Sequence, residues 1–442
     1  MIRRLVLATM SLALVSAAPD ASRAAKIERI VTSAGIEAWL VRDDTLPMLS
    51  LQFGIKGGAN QDPEDKPGVA NFAASLLDEG AGDLDGRAFH ERMEARAISL
   101  GFNVARDTLR GSVRTLSENR DEAFELLRLA LTAPRFDADA VERVRAGLLA
   151  GLRRQSTNPG DIVSQRWFAR AFPNHPYGRP VQGTLDSVPK ITVEDLKRYV
   201  GQVLARSTLK IAVVGAIDAA ALAVLIDKAF GALPAEPKLT PIAEVVPQGL
   251  GSREVIDLDV PQTVIAFGGV GLKRSDPDFI PAFVLNHILG GGSFSSRLYR
   301  EIREKRGLAY SVHSYLAPLD HAGLFMGSVS TRNDRAAESL AVITEEIRRI
   351  AAEGPTAEEL AKAKSFLVGS YALRFDTSGK IAGQLLEIQL ENLGIDYFDR
   401  RNGLVEAVTA EDVRRAAKRF LADDRLLVTL AGRPLGIAPT GR

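Results

Sequence analysis

The chain has 442 residues, 46% of them hydrophobic and 25% charged, with a formal net charge of +1. That length exceeds one compact domain, and the near-neutral balance gives no electrostatic basis for a polyanion partner such as nucleic acid. The absence of cysteine excludes disulfides and any thiolate nucleophile or metal ligand, so stability must come from buried cores.

Residues 1–25 read as a signal peptide and short leader. Arg3 and Arg4 form a basic start, Leu5 to Val15 an apolar core, and Val15, Ser16 and Ala17 a small-residue cleavage site. The apolar run is too short to span a bilayer comfortably, so no stable membrane span is expected. The mature chain is expected in a bacterial periplasm.

Strands are expected near 27–33, 36–42 and 48–56. A helix follows at 66–78, where "GVANFAASLLDEG" opens and closes on glycine and repeats apolar residues at helical spacing. Phe72, Leu76 and Leu77 are its core-facing residues. Further elements are a helix at 86–99, strands near 102–107 and 109–116, and helices at 118–133 and 138–157.

The stretch "TVEDLKRYVGQVLARSTLKIAVVG" (192–215) then returns 217 residues later as "TAEDVRRAAKRFLADDRLLVTLAG" (409–432). Each opens on a Thr with an Asp three residues on, a capping-box start, and runs through an amphipathic helix to an apolar strand ending in Gly. "LQFGIKGGANQDPED" (51–65) and "VIAFGGVGLKRSDPD" (264–278) form a second matching pair. Such long-period similarity marks a duplication. We therefore expect one half over 26–232, a Pro-rich linker over 233–250 and a second half over 251–438. The second half repeats the pattern: strands at 253–258 and 262–269, helices at 278–289 and 295–305, strands at 308–317 and 322–330, helices from 334 on. Clustered strands and helices without strict alternation indicate an α+β fold, each half an antiparallel-rich sheet with helices mainly on one face.

Direct signs of chemistry are few. None of the five histidines has a partner at metal-binding spacing, and each reads as a packing or surface residue; His175, in "FPNHPYGRP", is expected to fix its loop. The run Gly290, Gly291, Gly292, Ser293 suits close approach of a backbone or an anion, or simply a flexible turn. It lacks the Gly-Lys-Ser/Thr ending of a phosphate loop. The next helix alternates Arg297, Arg300, Arg303, Lys305 and Arg306 with Glu301 and Glu304. Arg297–Glu301 and Glu301–Lys305 stand at i, i+4, which reads as a solvated face.

At "GVANFAASLLDEG", "HPYGRPVQGTLDSVPKITVEDLKRYV" (175–200), "AVVG" (212–215) and "SSRLYREIREKRGLAYSVHS" (295–314), the chain resembles the pitrilysin/insulinase-type zinc peptidases. The likeness is to their two-domain branch, which includes mitochondrial processing peptidase. The family's first helix carries His-x-x-Glu-His, two zinc ligands and a general base. Laid on "NFAAS", those positions are Asn71, Ala74 and Ser75. The family's further Glu ligand falls at Gly151, counted back from "NPGD" (158–161). The resemblance thus implies that this chain binds no zinc. It also implies that Arg303 and Tyr310, seven residues apart like the family's Arg and Tyr, reach across to a zinc site. The Tyr would donate to the developing oxyanion and the Arg would hold substrate carbonyls. Arg306 is the competing arginine.

The resemblance therefore points to a zinc-free subunit of a heterodimeric metallopeptidase. Its homologous partner would hold the zinc, and Gly290–Ser293 would touch peptide substrate, which adds as a strand to a sheet edge. A non-proteolytic structural or binding subunit of a larger complex is the alternative reading. A homodimer with an activity of its own is a third, for which no site is evident.

Overall fold

The computed structural model describes residues 26–421 and 425–438; the leader expected at 1–25 lies outside them. The first half contains β1 (Ile27–Val31), β2 (Glu37–Arg42), β3 (Met48–Lys56) and the helix α1 (Val69–Ala74). A small pair, β4 (Gly80–Ala81) and β5 (Leu84–Asp85), leads to α2 (Gly86–Glu94), β6 (Ser99–Val104) and β7 (Thr108–Leu116). Helices α3 (Arg120–Thr132), α4 (Ala138–Gln155), α5 (Pro159–Ala171) and α6 (Val193–Val203) follow, then β8 (Lys210–Gly215) and α7 (Ala219–Phe230). One six-stranded sheet results, ordered β1-β2-β8-β3-β7-β6, antiparallel except where β2 meets β8.

The second half runs β9 (Arg253–Asp257), β10 (Gln262–Val270), α8 (Phe279–Asn286), α9 (Arg297–Tyr299), β11 (Ala309–Leu319) and β12 (Ala322–Arg332). Then come α10 (Ala336–Glu353), α11 (Ala357–Gly369), α12 (Ser378–Leu390), α13 (Tyr397–Glu406), α14 (Ala410–Phe420) and β13 (Leu427–Gly432). Its sheet is ordered β11-β12-β10-β13-β9. The α+β class is as expected: two halves, each a mostly antiparallel sheet with its own helices on one face.

The duplication is visible residue by residue. Both repeats open on true capping boxes. The Thr192 amide donates to Asp195 (2.9 Å) and the Thr409 amide to Asp412 (2.9 Å), and each Thr hydroxyl accepts in return. Phe53 and Phe267 are each fully buried beneath a glycine of the neighbouring strand. A Cβ at Gly111 or Gly327 would stand 2.2 Å from the respective ring, so only glycine admits it.

The other face of each sheet is covered by a helix from the opposite half. α12 lies across β3 and β8, and α5 lies across β10 and β13. The same Phe-Gly step admits both. A Cβ at Gly54 would press on Leu390 of α12 (3.1 Å), and one at Gly268 on Trp167 of α5 (2.9 Å). Trp167 is fully buried and donates through its indole N–H to the Leu427 carbonyl (3.0 Å). Leu385 and Leu386 bury against Ala212 and Val214 in the same way. The helices over 159–171 and 219–230 escaped the sequence reading because each follows the preceding helix or strand after only a short turn, and the second is largely apolar. The first predicted helix, 66–78, is shorter than expected: α1 ends at Ala74 and residues 75–78 continue as turns. Phe72, Leu76 and Leu77 are nevertheless buried.

Between Gly231 and Arg253 there is no helix or strand, yet the segment is not loose. Its Lys238, Val245 and Gln248 amides bond the carbonyls of Gln202, His321 and Ala171. It thereby crosses from the first half to the second.

Candidate functional site

Two regions matter: the end of β11, and the first helix.

The helical segment before β11 is wound in two steps. α9 passes into a wider π turn over Arg300–Glu304, closed by the Lys305 amide bonding the Arg300 carbonyl (2.9 Å). Gly307, at φ +59°, then reverses the chain into β11. The widened turn sets Arg303 above the strand start. Its guanidinium lies 4.3 Å from the Tyr310 ring centre and 5.0 Å from that of Tyr299, and it donates to the Tyr299 hydroxyl. Tyr310 is 80% exposed, and its hydroxyl makes no hydrogen bond among the described residues. Arg306 is engaged elsewhere, donating to the carbonyl (3.0 Å) and carboxylate of Glu301.

The expected solvated face is therefore only half right. Arg297 and Glu301 are buried and do not pair with each other. Arg297 forks onto Glu359 (2.8 and 2.7 Å) and also reaches the Gly354 carbonyl (3.1 Å). Burial pushes the Glu359 carboxyl up, but Arg297 and the Thr356 cap outweigh it and hold the carboxyl at about 2. Glu301 meets Lys305 and, five residues on, Arg306. Burial on one side and the π winding break the simple i, i+4 register.

The glycine run is not an open loop. His287–Gly291 continues α8 as a second π turn. Gly290 is buried against β11, where a Cβ would stand 2.5 Å from the Ser314 hydroxyl. Gly291 abuts Asn286, and Gly292 abuts His287. Ser293 takes a left-handed φ of +45° and is exposed, as is Phe294 at 70%. The Phe294 ring packs edge-on against Tyr299 (5.0 Å). Phe294, Tyr299, Arg303 and Tyr310 thus form one continuous stack. Sequence reasoning missed the first two; an aromatic just past the glycines and another four residues before Arg303 were the available signals.

The first helix is fixed by Asp62, whose carboxylate accepts from the amides of Gly68 (2.7 Å) and Ala70 (2.8 Å). Burial nevertheless pushes the Asp62 carboxyl up to about 7. On this helix Asn71 is half-buried at a cavity wall, Ala74 is 2% exposed within the core, and the Ser75 hydroxyl donates to the Asn71 carbonyl (2.9 Å). Gly151 lies on α4, where only Arg154 would approach a Cβ within 4 Å. These four positions do not fit a zinc ion. They offer one amide, one hydroxyl already engaged, a methyl and no side chain, in place of two imidazoles and two carboxylates. Among the described residues no three His, Asp or Glu side chains gather as a metal site.

The "HPYG" loop joins the halves. His175 accepts from the Tyr177 amide (3.1 Å) and contacts the linker carbonyl of Ala243 (3.1 Å). The buried Tyr177 hydroxyl donates to Asp107 (2.7 Å) and accepts from the His321 amide (2.9 Å). His175 thus fixes its loop.

Comparison with known proteins places these features in context. Residues 40–185 match the family model "Insulinase (Peptidase family M16)" and 190–367 match "Peptidase M16 inactive domain". A Helicobacter pylori protein described as a non-peptidase homolog, YmxG, is 29% identical over 75% of this chain and 77% of its own. A Streptomyces coelicolor protein described as an uncharacterized zinc protease is 28% identical over 86% and 84%. The crystal structure of a peptidase M16 inactive domain from Pseudomonas fluorescens superposes with a TM-score of 0.87 at 30% identity, covering 94% of this chain and all of that one.

Proposed function

The chain belongs to the insulinase-type peptidase family M16, and from that premise we propose that it is the zinc-free subunit of a heterodimeric metallopeptidase. One contrast carries the reading. The four positions that would hold and serve zinc have lost their chemistry, while Arg303 and Tyr310 stand stacked and exposed at the surface. A side chain kept outward with a free hydroxyl serves something outside the chain.

In this reading a homologous partner subunit holds the zinc, which supplies the Lewis acid for attack on the peptide carbonyl. This chain's Tyr310 donates a hydrogen bond to the oxygen that gains charge, where a fixed donor acts most strongly. Arg303, steadied by two aromatic faces, holds substrate carbonyls. The exposed Ser293–Phe294 turn adds substrate surface beside it. Peptide or unfolded segments would lie extended against an edge strand, β6 or β11, each of which ends its sheet. The signal-peptide pattern expected over residues 1–25 is the ground for proposing a periplasmic location. Among the described residues no helix is long and apolar enough to cross a membrane.

The test is reconstitution. The purified chain alone should cleave no peptide, and adding its zinc-bearing partner should produce activity above that of the partner alone. A chain found only in complexes without any zinc-bearing subunit would overturn the reading. It would favour instead a non-proteolytic structural or binding subunit; the Helicobacter pylori relative is itself described as a non-peptidase homolog.

A further inference from the structure

A cavity of about 260 Å³ opens beside Asn71, and the Arg303–Tyr310 stack does not use it. Its walls come from α1, the end of edge strand β6 at Val104, the turn at Arg106, the end of α4 at Gln155, α5, and the segment after Tyr177. Two guanidiniums reach it. Arg106 lies 3.5 Å over the Phe168 ring, and its Nε donates only a long bond to the Tyr177 carbonyl (3.4 Å). Arg179 has a buried Nε with no hydrogen-bond partner. Neither forms an ion pair among the described residues, in contrast to the buried Arg297 with its Glu359 fork.

Burial bears on both cations. It pulls the Arg106 guanidinium down to about 10, and lowers Arg179 against the opposing pull of Asp62 and Glu64. Charged groups in such a setting are ordinarily paired. A buried acceptor is also unmatched: Gln155 Oε1, from the turn of α4 just after Gly151. Asp161 is the single carboxylate on the cavity wall, so the lining carries one net positive charge.

We propose that this cavity binds a carboxylate of an extended peptide, either an Asp or Glu side chain or the peptide's own C-terminus. A peptide paired along the free side of β6 reaches the cavity at Val104, because β6 bonds only β7. The carboxylate then pairs with the Arg179 guanidinium, which has no ion-pair partner among the described residues, and Arg106 supplies the second charge. Planar, charge-assisted pairing of this kind is the strong form of carboxylate recognition. The inference rests on the reading that the chain holds peptide at a sheet edge, and it names the chemistry which that edge selects.

Fluorescence anisotropy of the full chain with a labelled nine-residue extended peptide tests it. The peptide carries one central Glu or its Gln isostere, each with a free or an amidated C-terminus. A carboxylate form is expected to bind roughly tenfold or more tighter than the Gln, amidated form, as hydrogen bonds to charged groups are worth. The four arms separate side chain from terminus. Arg179→Gln should abolish that discrimination without lowering the melting temperature, Arg179→Lys should retain part of it, and Asp161→Asn should strengthen acidic binding. Equal affinity for all four peptides overturns the carboxylate pocket while leaving peptide binding intact. No binding of any peptide overturns the edge-strand reading beneath it as well.

Discussion

The guanidinium of Arg303 lies 4.3 Å from the centre of the Tyr310 ring, across the reversal made by Gly307. The stack orients both groups at once, because the arginine also rests on Tyr299. Tyr310→Phe keeps the ring and removes the hydroxyl. In the complex with a zinc-bearing subunit it should lower kcat roughly 10²-fold, as loss of an oxyanion donor does, with assembly unchanged by gel filtration. Undiminished turnover in that complex would sink the oxyanion role.

Arg303→Lys retains charge but not the planar fork. It should raise KM more than it lowers kcat, since the arginine's part is to hold substrate. A steady-state comparison of the two variants separates positioning from charge stabilisation.

Metal content gives a direct check on the first helix. Purified chain should carry no stoichiometric zinc after dialysis against a zinc-containing buffer, measured by elemental mass spectrometry. One tightly held equivalent per chain would contradict the reading of Asn71, Ala74, Ser75 and Gly151.

Asp62 gives stability a pH dependence whose sign follows from its burial. Its folded carboxyl titrates at about 7, well above its ordinary value of 3.8. The stabilisation from the neutral form is thus complete below about pH 4 and is lost as pH rises through 7. Asp62→Asn should flatten this trend. Wild type minus variant, from denaturant melts at pH 4.5 and 8, should change by roughly 2–4 kcal/mol. Glu359 and Asp412, held at about 2, act oppositely and in a lower window. They contribute stability above their unfolded values and lose it as pH falls toward 2.

Much of this was legible in the sequence where a local rule had one outcome. Thr192–Asp195 and Thr409–Asp412 could only be helix starts, and the matching strands around Phe53 and Phe267 revealed the duplication. What escaped depended on distant partners. Nothing near Arg297 in the sequence announces Glu359, because the pair forms between helices and not along one. The π windings at His287–Gly291 and Arg300–Glu304 have no compositional signature, so of three glycines that suggested an open loop Gly290 is packed against β11, while Gly291 and Gly292 abut Asn286 and His287 of the same helical segment. The arginine cavity beside Asn71 combines residues from six segments, and none of them is unusual alone.

Trp167→Ala should cost roughly 3–5 kcal/mol by denaturant unfolding, the usual loss for a fully buried Trp, and more than a typical surface change by an order of magnitude. Its effect should appear in a single transition for both halves, since the residue belongs to one half and fills the core of the other.

The exchanged helices α5 and α12 also determine how the molecule can move. A hinge at residues 233–250 would have to strip Trp167 from one sheet and Leu385 and Leu386 from the other, exposing two apolar faces together. The two halves are therefore latched as a single rigid shell, and neither would survive as an excised fragment. Whatever gate admits an extended peptide must be found outside this latch, at the rim of the chain and not at its seam.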